Sequence, residues 1–372
     1  MTKVAIVKCA DYALADAAVR KAVELIGGID KFVKPGNRVL LKPNLLFGKE
    51  PASAVCTHPA IVGAVAKLVL DAGGIPFVGD SPGIGSGIKA MEIAGIKKVC
   101  DELKVKVIEL DQPITIKNMK GKLEKSFQIS KKVLDCDVII NLPKLKTHSL
   151  TQMTLAVKNM YGVIPGRIKA SYHLRFADAV PFSEMLLDLS EIVKPHLNII
   201  DGVVAMEGNG PGQGEPRKLG LVLASESCHA LDAVVCKIVG LSERQLPTIA
   251  LAKKRGIADI KKIETVGEEI SAVQVHDFKK APTSILSRLP KELKRRVKNI
   301  LSGKPQVIPD LCIACGNCKK ACPAHVIRMI NNLPRIHYEK CIRCYCCAEV
   351  CPKKAMEIKD NLLSKAVKKV LS

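Results

Sequence analysis

Nine of the fifteen cysteines fall between Cys312 and Cys351. Cys312, Cys315, Cys318 and Cys322, moved forward by 29 positions, land on Cys341, Cys344, Cys347 and Cys351. Each set closes on Cys-Pro, at Pro323 and Pro352. Two-residue gaps let a loop curl so that three thiolates reach three irons of one cube-shaped cluster while backbone N–H groups face the sulfurs. Proline after the fourth cysteine redirects the chain where no donor is needed. Zinc is the competing reading, because tetrahedral four-cysteine sites also use CxxC pairs. Two complete copies, each closed by its proline, favour iron–sulfur. Cys346 aligns with Asn317 and so stands outside the pattern. It is expected to be a buried thiol near a cluster, with a substitute ligand as the lesser alternative.

Repeated in this way, the spacing is that of bacterial two-cluster ferredoxins, in which the fourth cysteine of each half ligates the other cluster. Two 4Fe–4S clusters are therefore expected, one on Cys312, Cys315, Cys318 and Cys351, the other on Cys341, Cys344, Cys347 and Cys322. Such clusters usually move one electron each, which makes the module a conduit. CxxC spacing at this density reads as metal binding in a reducing compartment rather than as disulfides. Cys9, Cys56, Cys100, Cys136, Cys228 and Cys236 are scattered through apolar stretches and read mostly as small buried hydrophobes.

A second group of candidates gathers where apolar runs end. RVLLK runs into Lys42-Pro43-Asn44, IPFVG ends at Asp80, DVIINL leads to Lys144, Lys146 and His148, and LNII stops at Asp201 before Glu207 and Asn209. In open α/β sheets, ligands sit outside the carboxyl ends of the strands, so these segments would line one crevice. On an extended KLKTH, Lys144, Lys146 and His148 share a face. That face would bind a carboxylate or phosphate, and crowding would lower a lysine pKa toward acid/base use. The competing reading is a solvated loop in a lysine-rich protein. Lys158 and Asn159 follow on an expected helix, TQMTLAVKNMYG. His173 has no spaced partner and reads as structural, and His58, before a proline, as part of a helix cap. DSPGIGSG and EGNGPGQGEP match neither a Walker A nor a GxGxxG fingerprint. Their glycines would supply positive φ in turns or a backbone cradle for an anion.

The elements that must position these residues alternate. Short β-branched runs lie at 3–8, 38–42, 75–80, 137–142, 197–201 and 219–224. Between them come helical patterns such as HPAIVGAVAKLVLDAGG, with Thr57 as the expected N-cap. This predicts an α/β domain with a mostly parallel sheet over residues 1–278, decorated by a lysine-rich hairpin turning near Gly121. A small α+β ferredoxin-like two-cluster domain is expected over 306–360. Residues 279–305, with the stripe Leu286, Leu289, Leu293, Val297, Ile300 and Leu301, and the tail 361–372 read as basic amphipathic segments. Solvated linker helices are the plainer reading of these, and peripheral contact with a membrane or acidic partner the sharper one.

No apolar run approaches the ~20 residues of a membrane span, and the N-terminus lacks a signal-peptide pattern, so a cytoplasmic location is expected. The formal charge is +22. Two oxidised clusters with their thiolates would contribute about −4 and leave roughly +18. That favours anionic partners, but 3% aromatic residues without Trp supply poor stacking platforms and argue against nucleic acid.

Together KPNLL, THP, DSPG, NLPKLKTH, LAVKNMYG and DGVVAMEGNGP, in this order and followed by the cysteine repeat, resemble the iron–sulfur members of domain-of-unknown-function family 362. The resemblance spans residues 1–275 and then the ferredoxin part. It implies an anaerobe-associated prokaryotic protein and moves KLKTH and EGNGP from loop towards pocket, without implying a reaction. Two functions follow. In one, an oxidoreductase passes electrons from the clusters to an anionic small molecule or cofactor. Lys144, Lys146 and His148 would be catalytic there, with Lys42, Asn44, Asp80, Lys158, Asn159, Asp201, Glu207 and Asn209 binding the ligand. Flavin is conceivable in that role, although no motif names it. In the other, the chain is a non-enzymatic carrier whose large domain docks a redox partner protein.

Overall fold

The computed structural model describes residues 1–83, 85–257, 260, 262–281 and 302–359. The apolar stripe at 286–301 and the tail 361–372 lie outside the described residues.

The large domain carries β1 (Thr2–Lys8), β2 (Arg38–Pro43), β3 (Ile75–Asp80) and β4 (Lys106–Glu109). The expected hairpin follows as β5 (Pro113–Lys117) and β6 (Ser126–Ser130), and then come β7 (Val138–Leu142), β8 (Lys144–His148) and β9 (Gln152–Thr154). β10 (Leu197–Glu207), β11 (Glu215–Ser225) and β12 (Ile263–Gly267) complete it. Ten of these strands form one sheet in the order β12-β1-β11-β10-β7-β2-β3-β4, with β8 beside β10 and β9 beside β8. The run β10-β7-β2-β3-β4 is parallel throughout, and antiparallel pairing enters at β11 and β9. This is the α/β, mostly parallel architecture expected.

Both faces of the sheet are covered, so its strands read as continuous apolar runs. The period of two sends Val4, Ile6 and Leu40 into one core with Leu186 and Val234 from helices Ala179–Ile192 and Cys228–Ile238. Ala5, Val39, Leu41 and Val78 face the other core with Val19 and Ile61 from helices Ala15–Glu24 and Pro59–Asp71. The second of these helices is capped differently from the sequence expectation. Thr57 Oγ1 already accepts from Asn44 N (2.8 Å) and donates to the Leu142 carbonyl (2.7 Å), so it is held between strand ends. His58 is the N-cap instead, its Nδ1 accepting from Ala60 N at 3.2 Å.

TQMTLAVKNMYG is not one helix. Its first residues pair with β8 as β9, and the helix is confined to Ala156–Asn159. The Asp232 carboxylate accepts Ala156 N (2.7 Å) and Val157 N (3.1 Å), which sets where that turn begins.

The small domain pairs β13 (Lys304–Val307) with β16 (Met356–Lys359), and β14 (Ile327–Ile330) with β15 (Leu333–Ile336). Its two halves each contribute a short helix, Asn317–Ala321 and Cys346–Glu349, at equivalent positions of the 29-residue repeat. The domain seats on the strand-end side of the sheet. Gln213 Nε2 donates to the carbonyls of Ala348 (2.5 Å) and Met356 (3.1 Å), and Lys49 Nζ to that of Pro352 (2.8 Å). A Cβ on Gly212 would lie 2.6 Å from the Glu349 carbonyl oxygen. The EGNGPGQGEP glycines therefore serve neither turn nor anion cradle alone: one of them lets the two domains touch.

Candidate functional site

A cavity of about 1090 Å³ opens at the carboxyl ends of β2, β3 and β4, where the small domain closes over the sheet. From the strand ends come Asn44, Asp80, Ser81 and Glu109. β8 contributes Lys146 and His148, the short helix contributes Lys158 and Asn159, and helix Gly166–Arg175 contributes Lys169 and His173. The opposite wall is Cys322, Cys346 and Glu349 of the small domain.

Cations dominate the sheet side of the cavity. Lys146 Nζ donates to the Val55 carbonyl (2.7 Å), and burial brings its ammonium down to about 7. Lys169 Nζ donates to the Ser81 carbonyl, and burial likewise brings it to about 7. Lys158 is lowered by burial, against the pull of Glu349. Both histidines are neutral: burial holds His148 well below its usual range and His173 at about 3. His148 Nδ1 accepts from Leu150 N (3.0 Å), so the ring proton sits on Nε2, 3.6 Å from Glu349 Oε1. Burial raises Glu349, while Lys158 and Lys146 draw it back down. The small domain thus brings one carboxylate into a ring of amines.

A line of amides, buried except at half-buried Asn44, fixes this ring. Asn44 Nδ2 donates to Asn159 Oδ1 (2.8 Å), Asn159 Nδ2 to Asn141 Oδ1 (2.7 Å), and Asn141 Nδ2 to Asn198 Oδ1 (2.9 Å). The chain crosses from β2 through the short helix to β7 and β10, so the backbone of Lys158 is tied to the sheet. Beneath it Lys42 Nζ meets Asp80 Oδ1 at 2.8 Å, with both side chains buried. Gly162 is obligatory there, since its Cβ would stand 1.9 Å from Asp80 Oδ1 and 2.5 Å from Lys42 Nζ. That requirement accounts for the glycine of KNMYG.

KLKTH is a buried strand rather than a solvated loop, because β10 and β9 pair with it on either side. The expectation that Lys144 shares a pocket with Lys146 and His148 is corrected. Lys144 Nζ is bonded to Asp201 Oδ2 (2.8 Å) and Tyr12 Oη (2.9 Å). Asp201 also accepts from Tyr12 Oη (3.0 Å) and His58 N (2.9 Å), and the Tyr12 ring stacks on His58 at 3.4 Å. This closed network leaves Lys144 and Asp201 outside the cavity wall. Lys42 is likewise behind the wall, reaching it through Asp80. Glu207 accepts from Lys279 N (3.0 Å) and Asn209 contacts Gln213 (3.5 Å), so both sit at the exit of the large domain and the seam, not at the cavity.

Asn44, Asp80, Lys146, His148, Lys158 and Asn159 are brought together as expected of a common crevice. Lys169, Tyr161 and Glu349 were not anticipated, and His173, read as structural, lines the cavity as well. His173 is stacked on Phe182 at 4.7 Å and sits edge-on to Tyr161 at 5.7 Å, an arrangement without a local sequence signature. A signal for Glu349 was present: in the repeat it replaces Lys320, and Cys346 replaces Asn317. The two halves therefore differ at two positions that face the cavity.

The cysteines divide into two quartets. Cys312, Cys315, Cys318 and Cys351 line one small cavity, and Cys322, Cys341, Cys344 and Cys347 line another. Four soft thiol donors around each hollow fit the thiolate shell of a cubane cluster. Cys322 belongs to the second hollow and also lines the large cavity, and Cys346 lines only the latter.

Residues 39–237, more than half of the chain, match the family described as a domain of unknown function (DUF362). The chain belongs to this family. Beyond its DUF362 domain, residues 304–352 match a 4Fe–4S dicluster domain, so this is an iron–sulfur, ferredoxin-like protein. Thylakoid-associated protein sll1697 of Synechocystis sp. is 43% identical over 244 residues, covering 65% of this chain and 75% of that protein. The lactate racemase apoprotein from Thermoanaerobacterium thermosaccharolyticum superposes with a TM-score of 0.44 at 9% identity, over 64% of this chain and 57% of that one. Among the described residues no helix is long and apolar enough to cross a membrane.

Proposed function

We propose that this DUF362 chain is an iron–sulfur oxidoreductase that exchanges electrons with an anionic small molecule held between its two domains. The observation that carries this reading is the shared cavity: amines of the large domain form one wall, and Cys322, a member of the second cysteine quartet, belongs to the other. We assign one cluster to Cys312, Cys315, Cys318 and Cys351, and the other to Cys322, Cys341, Cys344 and Cys347. When bound, such clusters supply one-electron chemistry.

The chain's own residues have distinct parts in this scheme. Lys146, Lys158 and Lys169 hold the anion, and a site poor in water strengthens each contact. Lys146 and Lys169, with pKa values of about 7, are suited to hand over a proton as the ligand gains electrons. His148, neutral and oriented by Leu150 N, presents an N–H into the same space. A volume of about 1090 Å³ lies just above the ~300–1,000 Å³ range of ligand pockets. It suits a cofactor-sized anion better than a bare inorganic ion. The thiol content supports a cytoplasmic site of action. The thylakoid association recorded in the relative's name supports a place at a membrane surface there.

Anaerobic purification followed by mass spectrometry of released small molecules tests the reading. An anionic molecule should copurify and be lost in Lys146→Ala/Lys158→Ala, while iron content stays at wild-type level. A ligand-free chain whose electron exchange with every partner is indifferent to these substitutions would instead be a carrier.

A further inference from the structure

The two cysteine quartets are not equally placed. Cys322, Cys344 and Cys347 are buried and Cys341 partly so, and their hollow adjoins the large cavity through Cys322. In the other quartet Cys315 is exposed and its three companions are partly so. Two apolar side chains stand out from that loop beside it, Leu311 at 46% and Ile313 at 57% exposure. Ile313 and Lys353 both edge the hollow of the outer quartet. Lys319 and Lys353 are exposed around this face, and Asp310 is the nearest exposed acid along the loop. A small apolar patch flanked by ammonium groups, lying over the quartet whose Cys315 is exposed, is the pattern of a transient electron-transfer contact.

We propose that electrons pass between this chain and a small acidic one-electron carrier protein across the face formed by Leu311, Ile313, Cys315, Lys319 and Lys353. The outer quartet is then the relay to the partner and the inner quartet serves the cavity. This rests on the reading of the cavity as the site of chemistry. One electron leaves the outer cluster as the carrier gains one, or the reverse, and no bond is made or broken. Acidic groups on the carrier meet the lysines, and the exposed isoleucine supplies the apolar centre.

The test uses the full chain, reduced anaerobically with dithionite and freed of excess reductant. It is mixed in a stopped-flow instrument with an oxidised small acidic b-type cytochrome or with basic cytochrome c. The acidic protein should be reduced faster at low salt and slow as salt is added, because rim charges act on the encounter rate. Ile313→Asp/Lys353→Glu should slow it at least about tenfold, the scale of electrostatic steering. Lys319→Glu should act in the same direction, and Lys67→Glu, on the far helix Pro59–Asp71, should not. Equal rates with the basic cytochrome, or wild-type rates in the Ile313/Lys353 and Lys319 variants, would overturn the proposal. Iron content and the electron paramagnetic resonance of the dithionite-reduced protein report on the clusters apart from the cytochrome rate. A failed docking face is thereby told from a failed cluster assignment, and Lys319→Glu decides if the Ile313 variant loses iron.

Discussion

Asp80→Asn would keep the shape of the residue and its acceptor for Leu45 N (2.8 Å) while removing the charge that faces Lys42. The ammonium lies 2.8 Å from Asp80 Oδ1, with side-chain exposures of 0% and 3%, so water cannot replace the lost partner. At that separation and an effective dielectric of about 20, the direct attraction is about 6 kcal/mol. Desolvation offsets part of it, and breaking one side of a buried pair costs about 3–5 kcal/mol in stability. Lys42 can escape the charge by losing its proton, since burial already lowers its pKa and Asp80 is what holds it up. The folded variant then binds fewer protons than its unfolded chain at pH values below the usual lysine pKa. Its stability should therefore rise with pH relative to wild type, by up to about 1.4 kcal/mol per unit. Lys42→Met/Asp80→Asn, which removes both charges of the pair, should recover at least about 2 kcal/mol of the loss. Urea unfolding of the anaerobic holoprotein, followed by far-ultraviolet circular dichroism at pH 7 and pH 9, measures all three. A loss below about 1 kcal/mol in Asp80→Asn, or additive single-site costs with no coupling, would refute the reasoning.

Cys347→Ser should lower the iron content by about four atoms per chain, the content of one cubane cluster. Cys346→Ser should leave it unchanged, and iron analysis with electron paramagnetic resonance tells them apart; the reverse pattern would exchange ligand and bystander. Sulfate, whose charge is constant from pH 6 to pH 9, should bind the cavity more weakly as pH rises through about 7, because Lys146 and Lys169 lose their protons there. Removing one charge-assisted hydrogen bond weakens affinity about tenfold, readable by titration calorimetry, and an affinity that holds or rises with pH would count against the anion site.

Much of the scaffold is legible because it rests on local rules. Alternating apolar runs marked the strands, and period-two burial on both faces made β2 and β7 continuous in apolar character. Two boundaries went otherwise for long-range reasons. Thr57 was drawn from the cap by Leu142, 85 positions away, and Asp232 began a helix 76 positions before itself. The alternation of KLKTH was readable, yet it could not say that Asp201 takes Lys144 away from Lys146.

The cysteine spacing by itself determined the metal chemistry, because cluster ligation depends on a few residues of one loop reaching one centre. The polar strand ends determined, in the same local way, which segments could meet. Only the tertiary structure decided that the dicluster domain roofs the crevice, with Cys346 and Glu349 turned to the amines and Cys315 turned to solvent. Docking of two domains depends on matched surfaces more than a hundred residues apart, down to the missing Cβ of Gly212, and no spacing rule encodes such a match.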